Sequence, residues 1–401
     1  MPIRKHEPLS EEEMNWISPQ NTICETIRGI YYSTQDPGIR LKCREATAMA
    51  KAMTKKLTEY KRNWQSGFFD DNDNYPINKN RKPIDVLFLC WDDNANTGYR
   101  FWMCAKYLGL NAVMFKGKQH DFGYPAQAPL HPSLSSLPIC AAPVTVMAPG
   151  LESLINNSHV IHMIASTYPM AAVNWAKKNV VVQHGGTVYR QNPGACNSLF
   201  NQFAKKTVIQ CPDLMGLGAV NEKWIYYPVD TVNIKPDFRK KGEKIIVGHF
   251  PSNPIVKGTA EIEMVIRRLI TEGFPVEYVG STKRVLWLEN LQRMAQCDII
   301  IEGCNAYQGD KVYGEWGNTA LEASALGCAV ITHCLSKDKY EKEFGELGPI
   351  IANNPGELKS VLLKTHDWTF QKKRCRKWVI NNHSIPATAN RLWDLVYKDF
   401  F

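Results

Sequence analysis

The sequence predicts an α/β protein: two doubly wound domains facing one another across a cleft, preceded by a helical extension. Three observations carry this. Ile84-Asp85-Val86-Leu87-Phe88-Leu89-Cys90-Trp91 is a nearly continuous apolar run, as a parallel strand covered on both faces requires. From there onward strand-like and helix-like segments alternate. The alternation comes in two blocks, separated by an irregular stretch from Pro228 to the basic turn Arg239–Lys244.

Within the extension, Thr22-Ile23-Cys24-Glu25 reads as a capping box for a short helix. Asp36-Pro37 then starts a long amphipathic helix, with apolar residues at spacings of three and four from Ile39 to Trp64. Ser66–Arg81 has the composition of a linker. The first block continues with a polar loop at Asp92–Gly98 and a helix through Phe101, Cys104 and Leu108. Strands follow at Ala112–Phe115, Val160–Ile164, Val180–Gln183 and Thr207–Gln210, with a helix around Asn174–Lys178. The second block gives strands at Ile245–Gly248, Val276–Val279, Ile299–Ile301 and Ala329–Thr332. Its helices fall at Ala260–Thr271, Leu286–Met294 and Thr319–Leu326, and a last helix spans Ala387–Phe401. The expected organisation is extension and linker 1–80, first domain 81–238, second domain 239–380, and a C-terminal helix 381–401 that crosses back to the first domain.

Composition narrows the functional classes. The chain is 44% hydrophobic with a mean hydropathy of −0.31, and no apolar run approaches the ~18 residues of a membrane span. The opening Met1–Glu7 leads into the acids Glu11–Glu13, so no secretory signal is expected, and with 12 cysteines at neither disulfide nor zinc spacing, reduced thiols in a cytoplasmic protein are expected. Asp70-Asp71-Asn72-Asp73 sits in the linker, and no obligatory metal is expected. Residues 37–63 hold eight bases against two acids, a net +6 that leaves only +3 of the chain's +9 elsewhere. That helix is a candidate surface for DNA or for an anionic membrane, with a peripheral location in the second case, or simply a solvated face.

Open α/β sheets bind ligands beyond the carboxyl ends of their strands. Lys257 and Gly258 stand between a strand end and a helix start, where free amides and a lysine together suit a phosphate. Glu322, at the start of another helix after Gly317, could accept both hydroxyls of a ribose. His184 follows the Val180–Gln183 strand directly and precedes two glycines, the place of a reacting group. Gly98 in the first loop would let a phosphate approach the backbone.

Taken together, Val180–Thr187, Thr207–Leu214 with Tyr227-Pro228-Val229-Asp230, His249–Thr259, Ala295–Ile300 and Trp316–Gly327 resemble the ordered motifs of family-4-like retaining glycosyltransferases. These have two Rossmann-like domains, the GT-B architecture, and the likeness runs from about Ile84 to Phe401. The resemblance implies transfer of a sugar, with retention, from a nucleotide-diphosphate donor (a UDP-sugar or GDP-sugar) to a hydroxyl of a saccharide, lipid-linked or surface-polymer acceptor, with no obligatory cofactor. It implies that Lys257 holds the diphosphate, Glu322 the ribose, that Ser252, Asn318 and Thr319 assist with Gly258 on the donor side, and that His184 contacts sugar or acceptor. Two departures stand out. The family's arginine falls at Pro251, leaving Arg284 or Lys311 as substitute cations. The family's paired glutamates enclose seven residues, whereas Glu315 and Glu322 enclose six, so Glu315 is a sugar-contacting acid out of register. Alternative readings are a transferase acting on hydroxylated DNA bases through the basic helix, and a degenerate, non-catalytic sugar-binding or docking protein.

Overall fold

The computed structural model describes residues 83–118, 120–124, 151–164, 173–239, 243–305, 307–308, 311–312, 315–365 and 367–401. The helical extension, its basic stretch 37–63 and the Asp70–Asp73 cluster lie outside them. All described residues belong to one unit, Asp71–Phe401.

Two parallel sheets organise that unit. The first comprises β1 (Ile84–Asp92), β2 (Ala112–Lys118), β3 (Ser158–Met163), β4 (Asn179–His184), β5 (Ala204–Ile209) and β6 (Glu222–Trp224), in the spatial order β2-β1-β3-β4-β5-β6. The apolar run in β1 lies inside this sheet, paired with β2 on one side and β3 on the other, and its Val86, Leu87 and Phe88 are wholly buried. Helix α1 (Thr97–Tyr107) follows β1, and α2 (Leu151–Asn156) precedes β3. Short helices α3 (Gly186–Gln191) and α4 (Pro193–Phe200) connect β4 to β5. The stretch around Asn174–Lys178, expected as a helix, is a single 3-10 turn at Trp175–Lys177, too short for an α-helix between adjacent strands.

The second sheet contains β7 (Ile245–Gly248), β8 (Val276–Tyr278), β9 (Ile299–Ile301), β12 (Ala329–Thr332) and β13 (Ile350–Ile351), in the order β13-β12-β9-β7-β8. Two-residue strands β10 (Tyr307–Gln308) and β11 (Lys311–Val312) form an antiparallel hairpin between β9 and β12. The helices here are α5 (Thr259–Thr271), α6 (Trp287–Ala295), α7 (Asn318–Ala325), α8 (Lys337–Phe344) and α9 (Pro355–Lys364). Amphipathicity explains their docking: α5 buries Ile262, Val265, Ile266 and Leu269 against Val247, Ile299 and Ile331 of the sheet.

The chain ends in α10 (Trp368–His383) and α11 (Ile385–Leu392), followed by a wide π turn at Trp393–Tyr397 and a 3-10 turn. The break between the helices is made at Ser384, whose hydroxyl caps α11 by accepting from the Ala387 amide, with Pro386 in the first turn. This segment reaches the first sheet. His162 Nδ1 on β3 and the Tyr397 hydroxyl share a 2.7 Å hydrogen bond, and Lys206 Nζ on β5 donates to Leu395 O (3.2 Å) and Asp399 (2.5 Å). The connection between the sheets is pinned too. The Val229 amide donates to His383 O (2.7 Å), and the Arg376 guanidinium donates to Thr231 O (2.6 Å), Ile234 O (3.1 Å) and Ala325 O.

Among the described residues no helix is long and apolar enough to cross a membrane. The nine described cysteines are free, and eight are buried.

Candidate functional site

The carboxyl ends of the two sheets place their loops around one cavity. On the side of the second sheet, β7 runs into the loop that carries Lys257, and α5 begins just after Gly258. Gly258 has φ 66°, and a β-carbon there would meet Asn305 Cβ at 2.8 Å, so both conformation and space select glycine. His249 fastens the base of this loop, with Nδ1 2.7 Å from Ile301 O and Nε2 2.9 Å from the Thr259 hydroxyl. Burial lowers its pKa, keeping the ring neutral near pH 7. Lys257 pairs with Glu302, one residue beyond β9, whose side chain is almost fully buried. Glu302 also accepts from the Gly317 amide (3.1 Å) and the Thr332 hydroxyl (2.9 Å). Burial, the largest single influence, would favour its neutral acid, but the Lys257 and His333 charges with hydrogen bonds from Lys257 and Thr332 together lower its pKa.

Glu315-Trp316-Gly317 passes along the cavity before α7 begins. The Trp316 ring lies tilted with its centroid 4.3 Å from that of Tyr340, and its carbonyl accepts from the Tyr226 hydroxyl at 2.5 Å, which fixes the segment. Glu315 is 7% exposed. Its Oε2 accepts from the Cys334 thiol (3.4 Å), while Oε1 is buried without a partner. Burial, reinforced by the Asp213 charge, pushes its pKa up to about 7 despite hydrogen bonds from Ser336 and Cys334. The N-cap of α7 is Gly317, which has no side chain of its own to cap the helix. Glu322, one turn along this helix, is buried: its Oε1 accepts from the Arg100 guanidinium and from Trp287 Nε1 (2.8 Å).

The first sheet supplies the opposite wall. Ala95 and Asn96 take left-handed backbone at φ 58° and 56°, and the Ala95 carbonyl accepts from Asn318 Nδ2 at 2.8 Å. That turn aims Asp93 at the start of α1, where its carboxylate accepts from the amides of Gly98 (2.6 Å) and Tyr99 (3.2 Å), with Lys116 Nζ 3.3 Å away. The Gly98 amide is thus engaged by a side chain of its own loop. His184 is 5% exposed and stacked 4.1 Å from the Tyr189 ring, and burial lowers its pKa to about 4. Beyond it, α3 brings Gly186 and Arg190 to the cavity, and Arg190 donates from Nε (2.9 Å) and Nη2 (2.6 Å) to Asp213.

The resulting cavity has a volume of about 200 Å3. Ala95, Gly186, Arg190, Cys211 and Tyr227 line it from one side, and Val256, Lys257, Glu315, Trp316, Gly317, Asn318 and His333 from the other. Of the residues singled out from sequence, Lys257, Glu315 and Asn318 therefore come together. His184, Gly98, Gly258, Ser252, Thr319 and Glu322 do not line the cavity; Ser252 and Arg284 are exposed. Lys311 lies on β11, and its side chain is outside the described residues. Sequence reasoning missed Arg190, Asp213, Arg100 and Glu302. Glu302 had a signal, an acid directly beyond the apolar run Ile299–Ile301, which is the criterion that singled out His184. Arg190 had none, because its approach depends on how α3 turns back. Among the described residues no group of three or more His, Cys, Asp or Glu is arranged to hold a metal.

No family model matches the chain, and no curated protein matches it in sequence. Solved structures do. AviGT4, a glycosyltransferase involved in avilamycin A biosynthesis, is similar at a TM-score of 0.50 and 13% identity, over 79% of this chain and 98% of that one. An α-glucosyltransferase in complex with UDP and a mismatched 13-mer DNA matches at TM-score 0.48 and 12% identity, over 75% and 96%. MurG of Acinetobacter baumannii matches at 0.41 and 12%, over 79% and 100%. At 13% identity the likeness to AviGT4 speaks to fold alone: with its two parallel sheets, the chain has the two-domain α/β GT-B architecture.

Proposed function

We propose that this protein is a glycosyltransferase that moves a sugar from a nucleoside-diphosphate sugar to a hydroxyl acceptor. The observation that carries the reading is the cavity itself. It brings Lys257 from one sheet and Arg190 from the other to the start of α7, where the helix amides beyond Gly317 favour an anion. A diphosphate held there meets a cation on each side. Arg190 then fills the place of the arginine missing at Pro251, in preference to the exposed Arg284. The chemistry needs such a site because negative charge grows on the departing diphosphate, and preorganised donors stabilise it in the transition state.

Glu322 on the same helix, expected from the resemblance to hold the ribose, is buried off the cavity with its Oε1 engaged by Arg100 and Trp287, so its proposed part in donor binding is to fix α7 in place. Glu315, neutral below about pH 7, can donate a hydrogen bond to the transferred sugar from the same wall. His184 supports the acceptor side by stacking under α3. Transfer with retention, and a saccharide, lipid-linked or surface-polymer acceptor, complete the reading. The similarity to a glycosyltransferase of avilamycin A biosynthesis supports it.

A panel of UDP- and GDP-sugars tests this by release of nucleoside diphosphate. At least one donor should be turned over, and Arg190→Gln should lower kcat/KM by roughly 100-fold, the scale for removing one charge-stabilising donor. Absence of both turnover and thermal shift with every donor would contradict the reading.

A further inference from the structure

We propose that Glu302 is a positioning residue for the transfer step: it holds the Lys257 ammonium at a fixed place beside the amino end of α7. This rests on the nucleotide-sugar reading above. Three separate elements converge on its carboxylate. Lys257 comes from the loop before α5, the Gly317 amide from the start of α7, and the Thr332 hydroxyl from the end of β12.

The surroundings leave the lysine little freedom. A β-carbon on Gly317 would lie 3.2 Å from Glu302 Oε1 and 3.6 Å from Lys257 Nζ. A β-carbon on Gly303 would lie 2.9 Å from His333 Nδ1 and 3.4 Å from Lys257 Cδ. The lysine stem thus passes between two glycines, and its ammonium is met by a buried acid. An ammonium has three N–H donors. One is directed at Glu302, which orients the other two relative to the cavity that Lys257 lines.

A buried anion next to a diphosphate site repels the ligand, so Glu302 cannot contribute by attraction. Its contribution is placement, which shows in turnover more than in affinity. Glu302→Gln keeps the side chain's shape and removes its charge. It should lower kcat by about 10- to 100-fold, since a misplacement near 1 Å can cost on the order of 100-fold. UDP and GDP should bind the variant no more weakly than the wild type. A residue needed only for folding would instead weaken binding and turnover together.

The test is a double-mutant cycle of Lys257→Ala and Glu302→Gln, read by kcat on the accepted nucleotide sugar, by calorimetric titration with UDP and GDP, and by melting temperature. In the Lys257→Ala background, Glu302→Gln should change kcat less than about twofold, because it acts through the lysine. It should also raise the melting temperature there, by removing the buried acid that Lys257→Ala strands. An equal fall in kcat in both backgrounds, or a loss of UDP and GDP affinity matching the loss of kcat, would overturn the role of Glu302 alone. A wild-type protein that turns over no nucleotide sugar would overturn the functional reading and this proposal with it.

Discussion

Removing a buried carboxylate from this molecule strands a buried cation, and Glu322 illustrates the consequence. Its Oε1 takes both the Arg100 guanidinium and the Trp287 indole, and Arg100 is itself 2% exposed. Breaking a buried pair by deleting one partner costs about 3–5 kcal/mol. Glu322→Ala should therefore destabilise the fold by that order in chemical denaturation, and a loss of activity in it reports folding as well as any part in the proposed donor site. Glu322→Gln retains an acceptor and separates the two. Glu315 behaves differently, because no cation offsets its burial. Its pKa stands near 7 in the folded state against an ordinary 4.5. Over that window the folded protein holds a proton that the unfolded chain releases. Stability accordingly falls as pH rises from about 4.5 to about 7, by on the order of 3 kcal/mol, and levels off above. Glu315→Gln should flatten the dependence in urea titrations between about pH 5 and 8. An unchanged slope would show that Glu315 is ionised in the native state.

At the scale of elements, periodicity and capping made much of the architecture legible. The runs at Ile84–Trp91, Val180–Gln183, Ile245–Gly248, Ile299–Ile301 and Ala329–Thr332 are strands of two parallel sheets, each covered by helices as unbroken apolar runs require. Short or polar elements were not legible. The strand Glu222–Trp224 has three residues of mixed character, and α8 reads Lys337–Phe344 with mostly charged side chains and buries Tyr340. The basic helix α10 also escaped notice, since its sequence is largely polar although it buries Lys372, Cys375, Trp378 and Val379. Its buried Lys372 is explained by a partner far away in sequence, Asp298, at 2.5 Å. The candidate site divides in the same way. Lys257, Glu315 and Asn318 stand beside strand ends or helix starts, which local patterns mark. Arg190 and Arg100 reach theirs through tertiary packing. The C-terminal segment can be tested as an element. Tyr397→Phe leaves buried His162 Nδ1 without its 2.7 Å partner and should cost about 1–3 kcal/mol in thermal or urea unfolding. A change below a few tenths of a kcal/mol would mean that the segment does not anchor on the first sheet.

At the scale of the molecule, two sheets point their carboxyl ends at one another and bind one cavity between opposed loops. Contacts across it are specific: Asn318 to Ala95 O at 2.8 Å, the Trp287 amide to Phe122 O at 2.8 Å, and Lys339 Nζ to Pro212 O at 3.3 Å. In the proposed reading both halves grip the donor diphosphate, Lys257 from the second sheet and Arg190 from the first. Lys257 and Arg190 are both ion-paired, which balances the charge around the cavity and makes placement of the ammonium matter as much as its presence. The central claim is that a nucleoside diphosphate binds between these two cations. Co-crystallisation with UDP or GDP tests it most directly. The account predicts diphosphate oxygens within hydrogen-bonding distance of Lys257 Nζ and of the amides at the start of α7, facing Arg190. A nucleotide seated away from this cavity, or none bound at millimolar concentration, would contradict it.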